Sequence, residues 1–335
     1  MASNRTGWQE LTFESEALRG NPLGDPHVRP LFVWTPPSYD DDPSRRYPSV
    51  YLLQSHTGKV RAWFNVSPFD REFVDVLDEE LRPEAIVVLV DAFTAYGGSQ
   101  FLDSPAIGRY HTYLCDELVP FVDARFRTTS RRAVGGKSSG GFGAFVSCVL
   151  RPDLWDAFAW HAGDALFDVT LRCELAPAAK ALRDRHGGSW EAFFADFHSG
   201  RPTLSNRTDP LLLSVYSLAA AFSPRDDGSV ELPFDPETGE VVPEIWERWL
   251  AWDPVRLAGE HAGTLRALRG LWIDAGRQDE YALDLGAVAL RRAISAAGVP
   301  DELVRFELFD GGHRGISFRY APAVAWLVER LGKPS

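Results

Sequence analysis

Apolar and polar positions alternate through WQELTFES near the start of the chain, the period of a strand with one buried face. A second extended run, VRPLFVWTP, follows, and then a turn-rich loop, PPSYDDDPSRRYP. VYLL (50–53) is wholly apolar and bounded by loops, which marks a strand covered on both faces. From there two periods take turns. Helical spacing runs over 68–81, 110–126, 139–150, 283–298 and 316–331. Short apolar runs suited to strands occupy 85–91, 131–136, 155–163, 268–276 and 302–310. Strands alternating with helices predict βαβ units and a mostly parallel sheet flanked by helices, the α/β class. No internal repeat is present.

Residues 165–267 interrupt the alternation. They hold helical patches, turn clusters such as SPRDDGS and many aromatics, but no clean buried strand. The stretch is too long for a plain connection. It predicts a helical cap or lid inserted into a core built from 1–164 and 268–335, with its aromatics forming an apolar wall over the site.

Composition narrows the function classes. Of 335 residues, 45% are hydrophobic and 24% charged, so the chain can fill a large core and is not a disordered or fibrous type. Basic residues number 35 against 47 acidic, a net charge of −12, which argues against nucleic acid as a partner. No apolar run approaches the roughly 18–20 residues of a membrane span. The first twenty residues lack the apolar stretch of an export signal, so the expected location is cytoplasmic. Cys115, Cys148 and Cys173 are far apart and read as reduced thiols. No histidine pair has metal-ligand spacing, so no metal and no cofactor are expected.

The chemistry is concentrated in A-V-G-G-K-S-S-G-G-F-G, residues 133–143. Gly136-Lys137-Ser138-Ser139-Gly140 fits G-x-S-x-G between a predicted strand and a predicted helix. A serine on so sharp a turn is held in strained backbone with its hydroxyl above the sheet, and the glycines two before and two after remove clashing side chains. The same residues resemble the tail of a P-loop, but that motif's first glycine would fall at Arg131. The strand also runs almost directly into the helix, leaving no phosphate-cradling loop.

Among eight histidines, His313 stands out. It lies in D-G-G-H-R-G between the last strand and the last helix, where a base can reach a serine above the sheet. The acid is expected after the penultimate strand, in G-R-Q-D-E. Asp279 is preferred, with Glu280 and Asp164 as alternatives; Asp164 would otherwise be a pocket residue. The order Ser138, Asp279, His313 is that of an α/β-hydrolase. The oxyanion hole is assigned to the backbone amides of Ser139 and of His56, in the loop Gln54-Ser55-His56-Thr57-Gly58, with the His56 ring turned toward substrate.

With these places in hand, the chain resembles the putative-esterase branch of the α/β-hydrolases. That branch includes esterase D (S-formylglutathione hydrolase), enterochelin esterases, feruloyl esterases and mycolyltransferases. The carriers are VYLL, VVLVDAFTAYGGSQF, DELVPFVDARF, GGKSSGGFGA and the late GRQDE and GGH. The resemblance implies a nucleophile at Ser138, an acid at Asp279, a base at His313 and a pocket lined by residues 91–99, Asp91 and Tyr96 among them. Many relatives carry a His-Gly oxyanion loop where this chain has Gln54-Ser55.

The resulting expectation is a serine esterase acting on a small-molecule carboxylic ester through an acyl-enzyme. The alternatives are acyl transfer or thioester cleavage on the same triad, and an α/β-hydrolase fold that only binds. Self-association into a homo-oligomer is left open.

Overall fold

A computed structural model describes residues 7–64, 72–199 and 208–332. The predicted strands assemble into one sheet of eight in the order β1 (Trp8–Glu14), β2 (Val28–Trp34), β4 (Ile86–Leu89), β3 (Tyr47–Leu53), β5 (Thr128–Lys137), β6 (Ala157–His161), β7 (Gly270–Gly276), β8 (Val304–Phe309). β1 pairs antiparallel with β2, and β2 with β4; beyond that every neighbour is parallel. β3, β6 and β7 are buried at every position. That is why they read as continuous apolar runs, while edge strand β1 alternates and fully buries only Phe13.

The pleat sends successive side chains into two cores. Tyr51, Leu53, Val134, Phe158, Trp160 and Ile273 pack on one face with Phe142 and Phe145 of α2 (Ser139–Leu150) and Leu290 of α9 (Leu283–Ala296). Val50, Leu52, Ala133, Ala157, Ala159 and Trp272 pack on the other with Val324 and Leu327 of α10 (Tyr320–Leu331). The helical spacing over 110–126 is realised by Tyr110–Thr112, a wider-wound segment Tyr113–Leu118, and α1 (Val119–Arg125). That over 68–81 is realised at Phe73–Val76 and Leu77–Leu81; residues 68–71 lie outside the described ones.

Between β6 and β7 the described residues contribute helices and two isolated bridges, but no strand to the sheet. After a short turn at Phe167–Thr170 come α3 (Arg172–His186), α4 (Trp190–Phe197), α5 (Thr208–Phe222), α6 (Pro243–Leu250), α7 (Pro254–Glu260) and α8 (Ala262–Ala267). α3 packs on α4 and α5, away from the sheet, whereas α7 and α8 lie against α2 and α7 also against α9. The end of this segment therefore flanks the sheet.

Strand register levels the C-terminal ends at which ligands bind in parallel sheets. Leu53 lies opposite Gly136, Lys137 opposite His161, His161 opposite Asp274, and Gly276 opposite Phe309.

Candidate active site

β5 ends at Lys137 and α2 begins at Ser139, so the chain must reverse within Ser138. Ser138 has φ 57° and ψ −126°, a strained conformation for a residue with a side chain. Two close approaches force the flanking glycines. A Cβ on Gly136 would sit 2.5 Å from the Gly140 backbone, and one on Gly140 would sit 2.5 Å from the Leu53 carbonyl oxygen. The Ser138 N–H donates to the His161 carbonyl (3.0 Å), and its own carbonyl accepts the first helical bond from Phe142 (3.0 Å). No phosphate loop fits between β5 and α2.

The loops after β7 and β8 are zipped together beyond the end of the sheet. The amides of Arg277 and Gln278 donate to the carbonyls of Phe309 and Gly311 (both 2.9 Å), and the Gln278 side chain accepts from the Gly311 amide (2.7 Å). Gly276 permits this approach, since a Cβ there would lie 2.2 Å from the Gly311 carbonyl oxygen. Asp279 and His313 meet as a result. His313 Nδ1 is 2.9 Å from Asp279 Oδ2, while Asp279 Oδ1 accepts from the Tyr281 amide (2.9 Å). Nδ1 is thus committed to the carboxylate, leaving Nε2 for the cavity that His313 and Ser138 both line.

The three candidate acids have separate places. Asp279 is on the imidazole. Glu280 accepts the backbone N–H of His313 (2.6 Å), and this bond holds its carboxyl below the usual range. Asp164, just past β6, lines the cavity and bonds the Gln100 side chain; burial and the nearby Asp279 charge push it up to about 7.

His56 and Ser139 both border the cavity. The His56 ring is turned onto the neighbouring loop and not toward substrate: its Nε2–H donates to the Tyr96 carbonyl (3.1 Å), and burial lowers its pKa, favouring the neutral ring. The Thr57 amide bonds the Gly97 carbonyl (2.7 Å), pinning the same loop.

Asp91 and Tyr96 are corrections, since neither lines this cavity. Asp91 is buried in an ion pair with Arg29 (3.1 Å) and accepts the Val60 amide (3.3 Å). Arg29 comes from the antiparallel strand β2 and neutralises the carboxylate at the end of β4. Tyr96 packs between Phe194 and Tyr216, each ring 5.0 Å away. The aromatic wall is a correction of the same kind. Trp190, Phe193, Phe194 and Tyr216 pack against one another edge-on or tilted, as do Phe222, Trp249 and Trp246. What the segment presents to the cavity is Thr170, Leu171, Glu174, Pro210, Leu211, Ser214 and Leu218.

The cavity has a volume of about 820 Å³ and is completed by Ser55, Gln100, Lys137, Tyr281 and Arg314, among others. Gln100 and Glu174 went unnoticed in the sequence because no motif surrounds them. Glu174 is half-buried, and burial together with the charge of Asp164 pushes it up to about 7. Beneath the elbow, His161 Nδ1 lies 2.7 Å from Asp274 Oδ1, while Asp274 Oδ2 accepts from Trp272 Nε1 (2.7 Å) and Arg319 Nε (2.9 Å).

Among the described residues no group of three His, Cys, Asp or Glu side chains could hold a metal ion, and no helix is long and apolar enough to cross a membrane. Cys115, Cys148 and Cys173 are unpaired with one another, the first two buried.

Solved structures share this architecture. A ferulic acid esterase superposes with a TM-score of 0.59 at 18% identity, covering 97% of this chain and 98% of the other. An S-formylglutathione hydrolase from Agrobacterium tumefaciens gives 0.58 at 16% identity, covering 97% and 95%. In sequence, an uncharacterised protein of Corynebacterium glutamicum is 23% identical over 139 residues, a stretch that covers 41% of this chain and only 33% of that relative's length. The model of the family described as "Putative esterase" matches residues 26–319, nearly the whole α/β core and everything inserted in it, so the chain belongs to the putative esterase family.

Proposed function

We propose that the protein is a serine esterase in which Ser138 is the nucleophile, His313 the general base and Asp279 the residue that orients it. The observation that carries this reading is the 2.9 Å contact between His313 Nδ1 and Asp279, in a cavity shared with a serine held at φ 57°. Ser138 Oγ attacks the ester carbonyl as its proton passes to His313 Nε2. Asp279 fixes the tautomer and stabilises the imidazolium. The amides of Ser139 and His56 receive the developing oxyanion, donors of a kind that each contribute about 10²–10³ in rate. Collapse expels the alcohol, which takes the proton from His313, and leaves an acyl-enzyme. Water, activated by the same histidine, attacks it and regenerates Ser138.

Residues 165–267 act as a cap in this reading. Among the described residues of this segment, seven border the cavity that holds the serine. No cofactor enters any step. The test is turnover of short-chain p-nitrophenyl esters together with fluorophosphonate labelling of Ser138. A protein that binds esters but neither turns them over nor takes the label is a binding module, and the proposal fails.

A further inference from the structure

Part of the cavity wall is built from groups that accept hydrogen bonds. Asp164 contributes a carboxyl, and Glu174, in the first turn of α3, contributes another. Gln100 is 2% exposed and held in the left-handed region at φ 53°. Its side chain bonds Asp164, which commits the amide nitrogen as donor. Its Oε1, buried, has no partner. The Thr170 hydroxyl donates inward to the Ala165 carbonyl (2.9 Å), so it too offers only lone pairs.

No cation among the described residues pairs with Asp164 or Glu174. The positive groups of the cavity, Lys137 and Arg314, are paired with neither acid, and the charges that act on Lys137 are those of Asp279, Glu280 and Arg314. His313 is committed to Asp279 and His56 to Tyr96. Burying two carboxyls without a cation is costly, and both are pushed up to about 7 as a result. A site with unspent acceptors and an unpaired buried amide oxygen calls for a ligand with several donors and a positive charge.

We propose that the ester this enzyme turns over carries a primary ammonium group, whose three N–H donors are taken by Asp164, Glu174 and Gln100 Oε1 while Ser138 attacks the carbonyl. Hydrogen-bond acceptors, not ring faces, form the subsite. Among the described residues Tyr281 is the one Phe, Tyr or Trp that lines the cavity, so a quaternary ammonium, which prefers an aromatic cage, does not fit it. An anionic substituent is repelled here. The inference rests on the esterase reading above and names its substrate class.

Two matched pairs of esters test it, one for each side of the scissile bond. p-Nitrophenyl 6-aminohexanoate is compared with p-nitrophenyl heptanoate, and 4-aminobutyl benzoate with pentyl benzoate. In at least one pair the ammonium ester has a kcat/KM about tenfold or more above its neutral isostere, and Glu174→Gln and Asp164→Asn each reduce that ratio about tenfold. A ratio of one or less in both pairs overturns the proposal, as does a ratio that neither variant moves. Independently of turnover, pentylammonium chloride raises the Tm of the wild-type protein and fails to do so in the Asp164→Asn, Glu174→Gln double variant; equal shifts in both overturn it. The neutral esters and fluorophosphonate labelling report on the esterase reading alone. A protein active on these but indifferent to the ammonium group sinks this inference and spares that reading.

Discussion

The sharp turn at Ser138 separates two regions, each holding a histidine and an aspartate at hydrogen-bond distance. Above it, His313 and Asp279 sit on loops, 2.9 Å apart, at the edge of the cavity. Below it, His161 and Asp274 sit on adjacent strands, 2.7 Å apart and sealed from solvent. What else touches the acid tells them apart. Asp274 also accepts from Trp272 and Arg319, and Arg319 reaches on to Glu307 (2.5 Å). Burial acts to raise Asp274, but His161 and Arg319 overcome it and hold the carboxyl below the usual range. Its charge is spent on structure. Asp279 has the His313 ring and backbone amides alone, so its charge remains available to an imidazolium that forms during a reaction. The same pair of side chains serves rigidity in one place and, in the function proposed above, proton transfer in the other.

The sharpest way to test that division is to remove the nucleophile between the two regions. Ser138→Ala is expected to lower kcat by about 10⁴–10⁶ and abolish fluorophosphonate labelling, with Tm essentially unchanged. The two aspartates should then fail in opposite ways. Asp279→Asn should lower kcat by about 10⁴, the size this change has in a serine-protease triad, and leave the fold intact. Asp274→Asn removes one of the two carboxylates that pair with Arg319, together with the charge beside His161, and should cost roughly 1–3 kcal/mol of stability. Thermal melts and steady-state rates measured on both variants check this. Equal loss of Tm in the two would erase the distinction.

Glu280 offers a smaller effect. It holds the backbone of His313 and not its ring. Glu280→Gln keeps an acceptor and should lower kcat by no more than about threefold, while Glu280→Ala frees the amide and should cost about tenfold. If Glu280→Gln were as damaging as Asp279→Asn, the acid would be misassigned.

The chain itself points to the residues that line the upper region, though not to their roles. G-K-S-S-G named Ser138, because the glycines on either side answer a steric demand that can be stated without coordinates. The loop after each late strand named Asp279 and His313, because register at the C-terminal edge of a parallel sheet brings such loops together. What distinguishes Asp279, Glu280 and Asp164 is the direction of each side chain, which a one-residue step along a turn reverses and which the sequence does not give. Asp91 was misplaced because its partner, Arg29, lies 62 residues away on an antiparallel strand. The aromatic segment misled for a different reason. Composition shows that Trp190, Phe193 and Phe194 will be buried, but not that they bury one another. Gln100 and Glu174 left no pattern, since a cavity wall is assembled from distant segments with no common period.

The smallest expected effect compares Asp274 with Asp164, a buried acid with a cation and one without. The Asp164 carboxyl is pushed from an ordinary aspartate value up to about 7, first by burial and then by the Asp279 charge. A group whose folded pKa lies above its unfolded one favours the folded state most at low pH, and that advantage is lost as pH rises through the folded value. Below about pH 4 Asp164 is protonated in both states; across the interval up to about pH 7 the folded chain holds a proton that the unfolded chain has released, and stability from this group declines. Asparagine is neutral throughout. Asp164→Asn should therefore leave Tm within about 1 °C of wild type near pH 4.5 and raise it by roughly 2–5 °C near pH 8.5. For Asp274→Asn the sign is opposite: its carboxyl is held down by His161 and Arg319, so the variant loses most where the wild-type group is ionised. Melting both variants at the two pH values measures this directly. A destabilised Asp164→Asn at pH 8.5 would mean that a cation meets Asp164 in the protein after all, making the region above the elbow as well compensated as the one below.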